Sequence, residues 1–213
     1  MLLIGMFDSP FVRRVAVSMQ LLDIGYEHAD WSVGRDFERI REHNPLGRVP
    51  TLVLDDGAVL SESAAILDYL DDRVGPARAL LPAHGSERRE ALRLISMAIG
   101  AAEKGREQVY ERAFRPPDKH HEPWLARCRT QMHGALSELE RYCATRGPQQ
   151  WLIGDQLGQA DITAGCAFTF LRGALRPVDV VSRYPRLAAL ADRCEALAPF
   201  KNTFTPFFTP GAQ

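Results

Sequence analysis

A serine and a proline stand side by side in the stretch "GMFDSPFVRR", where a short apolar run gives way to residues at helical spacing. Serine is a favoured helix N-cap and proline suits the first helical position, so Ser9 and Pro10 have one role in local structure: the Ser9 oxygen accepts a free backbone N–H. The other role is chemical, because a hydroxyl held beside a helix N-terminus stabilises an anion such as a thiolate. The spacing alone leaves both open. Cys128, Cys143, Cys166 and Cys194 are widely separated, with no C-x-x-C pair and no histidine at a zinc-finger interval, so they read as buried free thiols. His120 and His121 lie in the proline-rich "PPDKHHEPW" without a partner at ligand spacing, and no metal is expected.

The elements that must position Ser9 show two periodicities. Over residues 1–76, "LLIGM" reads as a buried strand. Val12, Val15, Ala16, Met19 and Leu22 then recur at three- and four-residue steps, the pattern of an amphipathic helix ending near Gly25. "YEHADW" reads as a second strand, and "RDFERIREH" as a short charged helix with Phe37 and Ile40 on one side. Pro50–Leu54 and Ala58–Leu60 flank Asp55-Asp56-Gly57, the signature of a hairpin. A helix follows from about Glu62, with Ile66, Tyr69, Leu70 and Val74 on its inner face. The order is β-α-β-α-β-β-α, with the first two strands parallel and the hairpin antiparallel.

Residues 77–85 read as a linker, since "GPARALLPAHG" is rich in Pro and Gly. Residues 86–213 read as helical: Ser86–Phe114 with Leu92, Ile95 and Ile99 in step, Trp124–Thr145, a nearly all-apolar central helix in "QADITAGCAFTFLRGAL", and "YPRLAALADRCEALA". The tail "PFKNTFTPFFTPGAQ" carries too many prolines for a helix. The chain of 213 residues holds 26 Lys+Arg against 27 Asp+Glu, a net charge of −1, which argues against nucleic acid as the main partner. The opening lacks a basic n-region, and no stretch approaches the ~20 apolar residues of a membrane span. The expectation is a cytoplasmic protein with no membrane partner.

Taken in order, "SPFVRRVAVSMQLLDIGYE", "NPLGRVPTLVLDDGAVLSESAAILDYLDD" and "GDQLGQADITAG" resemble the cytosolic glutathione transferases, in particular the bacterial and plant-like members that use serine. The resemblance covers essentially the whole chain. It implies an α/β thioredoxin-like N-terminal domain with a mixed four-stranded sheet, followed by an all-α helical bundle. Glutathione is the implied co-substrate, with no metal, and the implied assembly is a homodimer. The family carries a cis peptide bond at the Val49-Pro50 step, where the Val49 N–H and C=O pair with the cysteinyl unit of glutathione. Glu62 and Ser63 take its γ-glutamyl end, and a cation near Arg48, with Arg35, Arg39 and His43 as alternatives, takes the glycyl carboxylate. Phe11 is placed with this glutathione-binding set. The electrophile site is expected between the halves, with Phe7, Tyr110 and Phe114 and with tail phenylalanines. Arg106, Arg112 and Arg115 either admit an anionic substrate or face water.

In this setting Ser9 becomes the expected catalytic residue. A free thiol has a pKa of about 8.5, and lowering it by about two units takes roughly 2.7 kcal/mol. A hydrogen bond to an ionised acceptor contributes about 1.5–3 kcal/mol and a helix N-terminus up to ~1 more. The magnitudes suffice. Position 9 is not cysteine, which disfavours the thiol-transfer branches, and Phe7 does not match the tyrosine-dependent classes. The family's Ser/Thr-x-x-Asp capping box appears as Gly158-Gln159-Ala160-Asp161, with Leu157 and Ile162 as a hydrophobic staple. The expected activity is transfer of the glutathione thiolate to a hydrophobic electrophile. The alternatives are a non-catalytic protein that binds glutathione and hydrophobic ligands, and a glutathione-dependent lyase or isomerase.

Overall fold

The computed structural model describes residues 1–175 and 179–208. The last five residues of the tail lie outside that range. β1 (Leu2–Ile4), α1 (Pro10–Leu21), β2 (Glu27–Ala29), α2 (Phe37–Arg41), β3 (Thr51–Val53), β4 (Val59–Ser61) and α3 (Ser63–Val74) follow in the expected order. β1 pairs parallel with β2 and antiparallel with β3, and β3 pairs antiparallel with β4, giving a sheet of order β2-β1-β3-β4. The strands are shorter than the apolar runs that announce them.

The α1 stripe of Val12, Val15, Ala16 and Met19 is fully buried, with Leu22 beside it, against Leu3, Leu52, Ile66 and Leu70 from the sheet and α3. The opposite side of α1 is buried as well, which its sequence does not announce. Val17 joins a separate apolar cluster with Ile162, Cys166 and Phe200, and both Arg13 and Arg14 are buried. A helix that carries two consecutive arginines opposite its apolar stripe is therefore enclosed on both faces.

α4 (Gly85–Phe114), α5 (Glu122–Cys143), α6 (Gln159–Ala174), α7 (Val180–Arg183), α8 (Pro185–Glu195) and α9 (Ala198–Asn202) follow, with a 3-10 turn at Pro117–Lys119 between α4 and α5. α6 is buried along nearly its whole length, as its composition predicts. Two expectations are corrected. Leu92 is 45 % exposed on α4 rather than inward, because the inner stripe runs through Ala91, Leu94, Ile95 and Ala98. The tail does form a short helix, α9, because Pro199 falls in its first turn, where no intrahelical N–H is required.

α6 starts at Gly158 without a side-chain cap. The Asp161 carboxylate accepts the Gly158 N–H at 3.1 Å through Oδ2 and the Leu152 N–H at 2.8 Å through Oδ1. Leu157 packs on the cluster that contains Ile162, as a staple requires. Cys128, Cys166 and Cys194 are buried, Cys143 is half-buried, and all four are unpaired. Burial pushes the Cys143 and Cys166 thiols up to about 12 and the Cys194 thiol well above its ordinary value, which leaves them chemically quiet.

Candidate active site

Between the sheet-bearing half and the helical half lies a cleft of about 720 Å³. The loop from β1 into α1, the loop before α2, the segment before β3, the end of α4 and the tail supply its walls. Ser9, Phe11, Arg48, Val49, Tyr110 and Phe114 all line it.

Ser9 is the N-cap of α1 with Pro10 after it. Its Oγ accepts the Val12 N–H at 3.4 Å, a long bond. Among the described residues the hydroxyl donates to no acceptor, so its hydrogen is available to a group in the cleft. Asp8 precedes it in the wall and accepts the Phe208 N–H at 3.4 Å. Burial holds the Asp8 carboxyl above the usual carboxylate range. Sequence reasoning passed over Asp8, and its adjacency to Ser9 was the available signal.

The Val49-Pro50 peptide bond is cis. Val49 faces the cleft, and among the described residues neither its N–H nor its C=O has a hydrogen-bond partner. The segment is held from behind by Asn44, which is buried and donates through Nδ2 to the Arg48 carbonyl and to Thr51 Oγ1, each at 3.0 Å. Asn44 Oδ1 accepts the Leu46 N–H at 3.1 Å. Gly47, at φ +60°, lies so close to the Phe37 ring that a Cβ would come within 2.2 Å of it, so a side chain at this step would have to displace that ring and adopt a strained backbone. Asn44 was visible as the first letter of Asn-Pro-x-Gly-x-Val-Pro, but its load only appears in three dimensions.

Glu62 sits at φ +69° just before α3, and Ser63 opens that helix with its side chain buried. Pro50, Glu62 and Ser63 are not among the cleft's lining residues. Glu62 is tied to the cleft through an ion pair, Arg48 Nη1 to Glu62 Oε1 at 2.9 Å, with both side chains about half exposed. Pairs of this exposure contribute about 0–1 kcal/mol, so a zwitterionic ligand separates them at little cost.

The cationic alternatives also separate. Arg35 lines the cleft and pairs with Asp36 at 2.8 Å. Arg39 lies over the Trp31 ring at 4.0 Å instead, and neither it nor His43 reaches the lining. Arg106 lines the cleft, whereas Arg115 pairs with Glu111 at 3.0 Å outside it.

Phe7 is not in this cleft. Its ring stacks on His28 of β2 with centroids 3.8 Å apart and packs against the core of the sheet-bearing half. It lines a separate cavity beside Arg13 and Phe204. Stacking and apolar burial turn it away from the side that Met6, Asp8 and Ser9 face. The apolar wall lacks Phe7 and instead includes Phe170 of α6 and Phe207 of the tail, whose rings meet edge to face at 5.5 Å. Among the described residues no group of His, Cys, Asp and Glu could hold a metal ion.

Comparison with known proteins is consistent along the chain. Residues 3–78 match the family model of the glutathione S-transferase N-terminal domain, and residues 122–193 that of its C-terminal domain. The uncharacterized GST-like protein YibF of Escherichia coli K12 is 28 % identical over 207 residues, which is 97 % of this chain and 99 % of YibF. Maleylacetoacetate isomerase of Pseudomonas aeruginosa is 27 % identical over 196 residues, 88 % of each chain. The crystal structure of a glutathione S-transferase from Methylobacterium radiotolerans JCM 2831, in complex with glutathione sulfonate, superposes with a TM-score of 0.87 at 30 % identity, covering 100 % of this chain and 95 % of that one.

Proposed function

The chain belongs to the glutathione S-transferase family, and from that premise we propose that it takes glutathione as co-substrate, holds its sulfur as a thiolate on Ser9, and delivers it to an apolar electrophile. The observation that carries this reading is the Ser9 hydroxyl at the N-terminus of α1, its hydrogen uncommitted, in a cleft that both halves wall. The Val49 N–H and C=O, unpartnered among the described residues, suit the antiparallel peptide pairing of the cysteinyl unit. The first N–H groups of α3 beside Ser63, with the separable Arg48–Glu62 pair, suit the charged ends of the tripeptide.

The chemistry is a displacement or an addition. The glutathione thiol gives its proton to solvent water, and the Ser9 O–H donates to the sulfur and stabilises the resulting thiolate while keeping its own proton. The thiolate electron pair forms the C–S bond, while a leaving group departs or an activated double bond takes up the charge. Holding the reactants in one cleft removes the entropy cost of their encounter. Isothermal calorimetry with glutathione, followed by turnover against aryl halides, epoxides, enones and aryl ethers, tests the reading. Measurable glutathione affinity with turnover of at least one class supports it, and absence of glutathione binding overturns it.

The similarity to an isomerase favours a second reading, in which the thiolate adds to a conjugated double bond and is later expelled. Isomerised product without a stable conjugate separates the two. The proposed assembly is a homodimer, supported by apolar side chains left in solvent on α4 and on the edge strand, Leu92 and Val59. A cytoplasmic setting suits four unpaired cysteines.

A further inference from the structure

The cations of the cleft are not equivalent. Arg48 and Arg35 already have carboxylate partners in Glu62 and Asp36, at 2.9 and 2.8 Å. Arg106, on α4, makes no hydrogen bond among the described residues, and its nearest carboxylate oxygen is that of Glu107 at 3.9 Å. Its side chain is only 24 % exposed. The guanidinium lies over the rings of Phe11 and Tyr110, 5.7 Å from each centroid. Aromatic faces attract the charge, yet they accept none of its five N–H donors in the planar fork that a carboxylate fits.

A flat apolar body entering this cleft closes the remaining exposure of Arg106 to solvent. A neutral occupant therefore leaves a charged donor set desolvated and unpaired, which is costly. An occupant bearing an anionic group removes that cost and adds a charge-assisted, bidentate pair. Asp8 is the one carboxylate among the described lining residues, and it is engaged with the Phe208 N–H rather than with Arg106.

Resting on the glutathione reading above, we propose that the electrophile taken by this cleft carries a carboxylate on an aromatic or similarly flat body. Arg106 holds the carboxylate and selects for it, while Phe11, Tyr110 and Phe114 enclose the body. The same charge offsets the repulsion between an anionic substrate and the thiolate.

Calorimetry with glutathione, S-benzylglutathione and S-(4-carboxybenzyl)glutathione reads this directly, on the parent protein and on Arg106→Gln. In the parent the carboxylated conjugate binds at least about tenfold tighter than the benzyl conjugate. In Arg106→Gln that ratio falls toward one, and Arg106→Lys, which keeps the charge but not the fork, restores part of it. The parent ratio stands whether or not the variants fold. Equal or weaker binding of the carboxylated conjugate by the parent overturns the inference, as does a ratio that survives in Arg106→Gln. If the parent binds none of the three, the glutathione reading itself fails, a result distinct from binding without a carboxylate preference.

Discussion

Ser9 serves the backbone weakly and is free to serve a ligand. Its cap bond to the Val12 N–H is long, at 3.4 Å, and Pro10 fixes the first helical φ without it. Replacing Ser9 with Ala is therefore expected to cost about 0.5–1 kcal/mol of stability, the low end for an N-cap. On the proposed reading the loss at the sulfur is larger: about 1.5–3 kcal/mol for a hydrogen bond to a charged group, or a ten- to hundredfold fall in kcat/KM. Thiolate ultraviolet absorbance checks the cause, since the bound thiol's pKa should climb toward about 8.5 in Ser9→Ala. A pKa that stays in place, with stability alone reduced, would make Ser9 a cap only.

Among the elements, α6 shows how a missing cap is replaced. Asp161 carries two backbone N–H bonds from a fully buried position, one to its own helix start at Gly158 and one to Leu152. Asp161→Ala leaves the buried Leu152 N–H and the half-buried Gly158 N–H unmet, and about 2–4 kcal/mol of stability should be lost in chemical denaturation. An unchanged midpoint would mean that water satisfies them. Burial raises the Asp161 carboxyl to about 6, above its ordinary 3.8. The folded state then binds the proton more tightly than the unfolded chain, so this group's contribution is greatest below pH 3.8, falls as pH rises through the window to about 6, and is flat above it. Parent and Asp161→Asn should accordingly differ in the slope of stability against pH within that window; parallel profiles would show that the carboxyl titrates normally. Leu92, exposed on α4, gives the other test at this scale. Leu92→Glu should shift the proposed homodimer toward monomer in analytical ultracentrifugation, and an unaffected sedimentation coefficient would take α4 out of that interface.

Across the whole molecule, Arg13 joins the halves. It makes a bidentate pair with Glu195 of α8 at 2.7 and 2.6 Å, and also donates to the Phe200 carbonyl at 2.8 Å and the Thr203 carbonyl at 3.1 Å. Removing one member of so enclosed a pair strands the other charge, so Arg13→Met should cost about 3–5 kcal/mol. Hydrogen exchange should quicken in α9 first; a loss below about 1 kcal/mol would mean that water reaches Glu195. The sequence determined by itself what is local. The α1 stripe, the Asp55-Asp56-Gly57 hairpin, the near-continuous burial of α6 and the helper role of Asp161 were all legible, because helical period, turn chemistry and capping act over a few residues. Only the tertiary structure decided which face of each element meets which neighbour. It enclosed Arg13 and Arg14, turned Phe7 onto His28, left Leu92 in solvent, bound Arg48 to Glu62, and kept Arg106 uncommitted among aromatic rings. The physical reason is that a charge finds its partner through space: the carboxylate that Arg13 needs lies 182 residues along the chain, and no local pattern encodes that meeting.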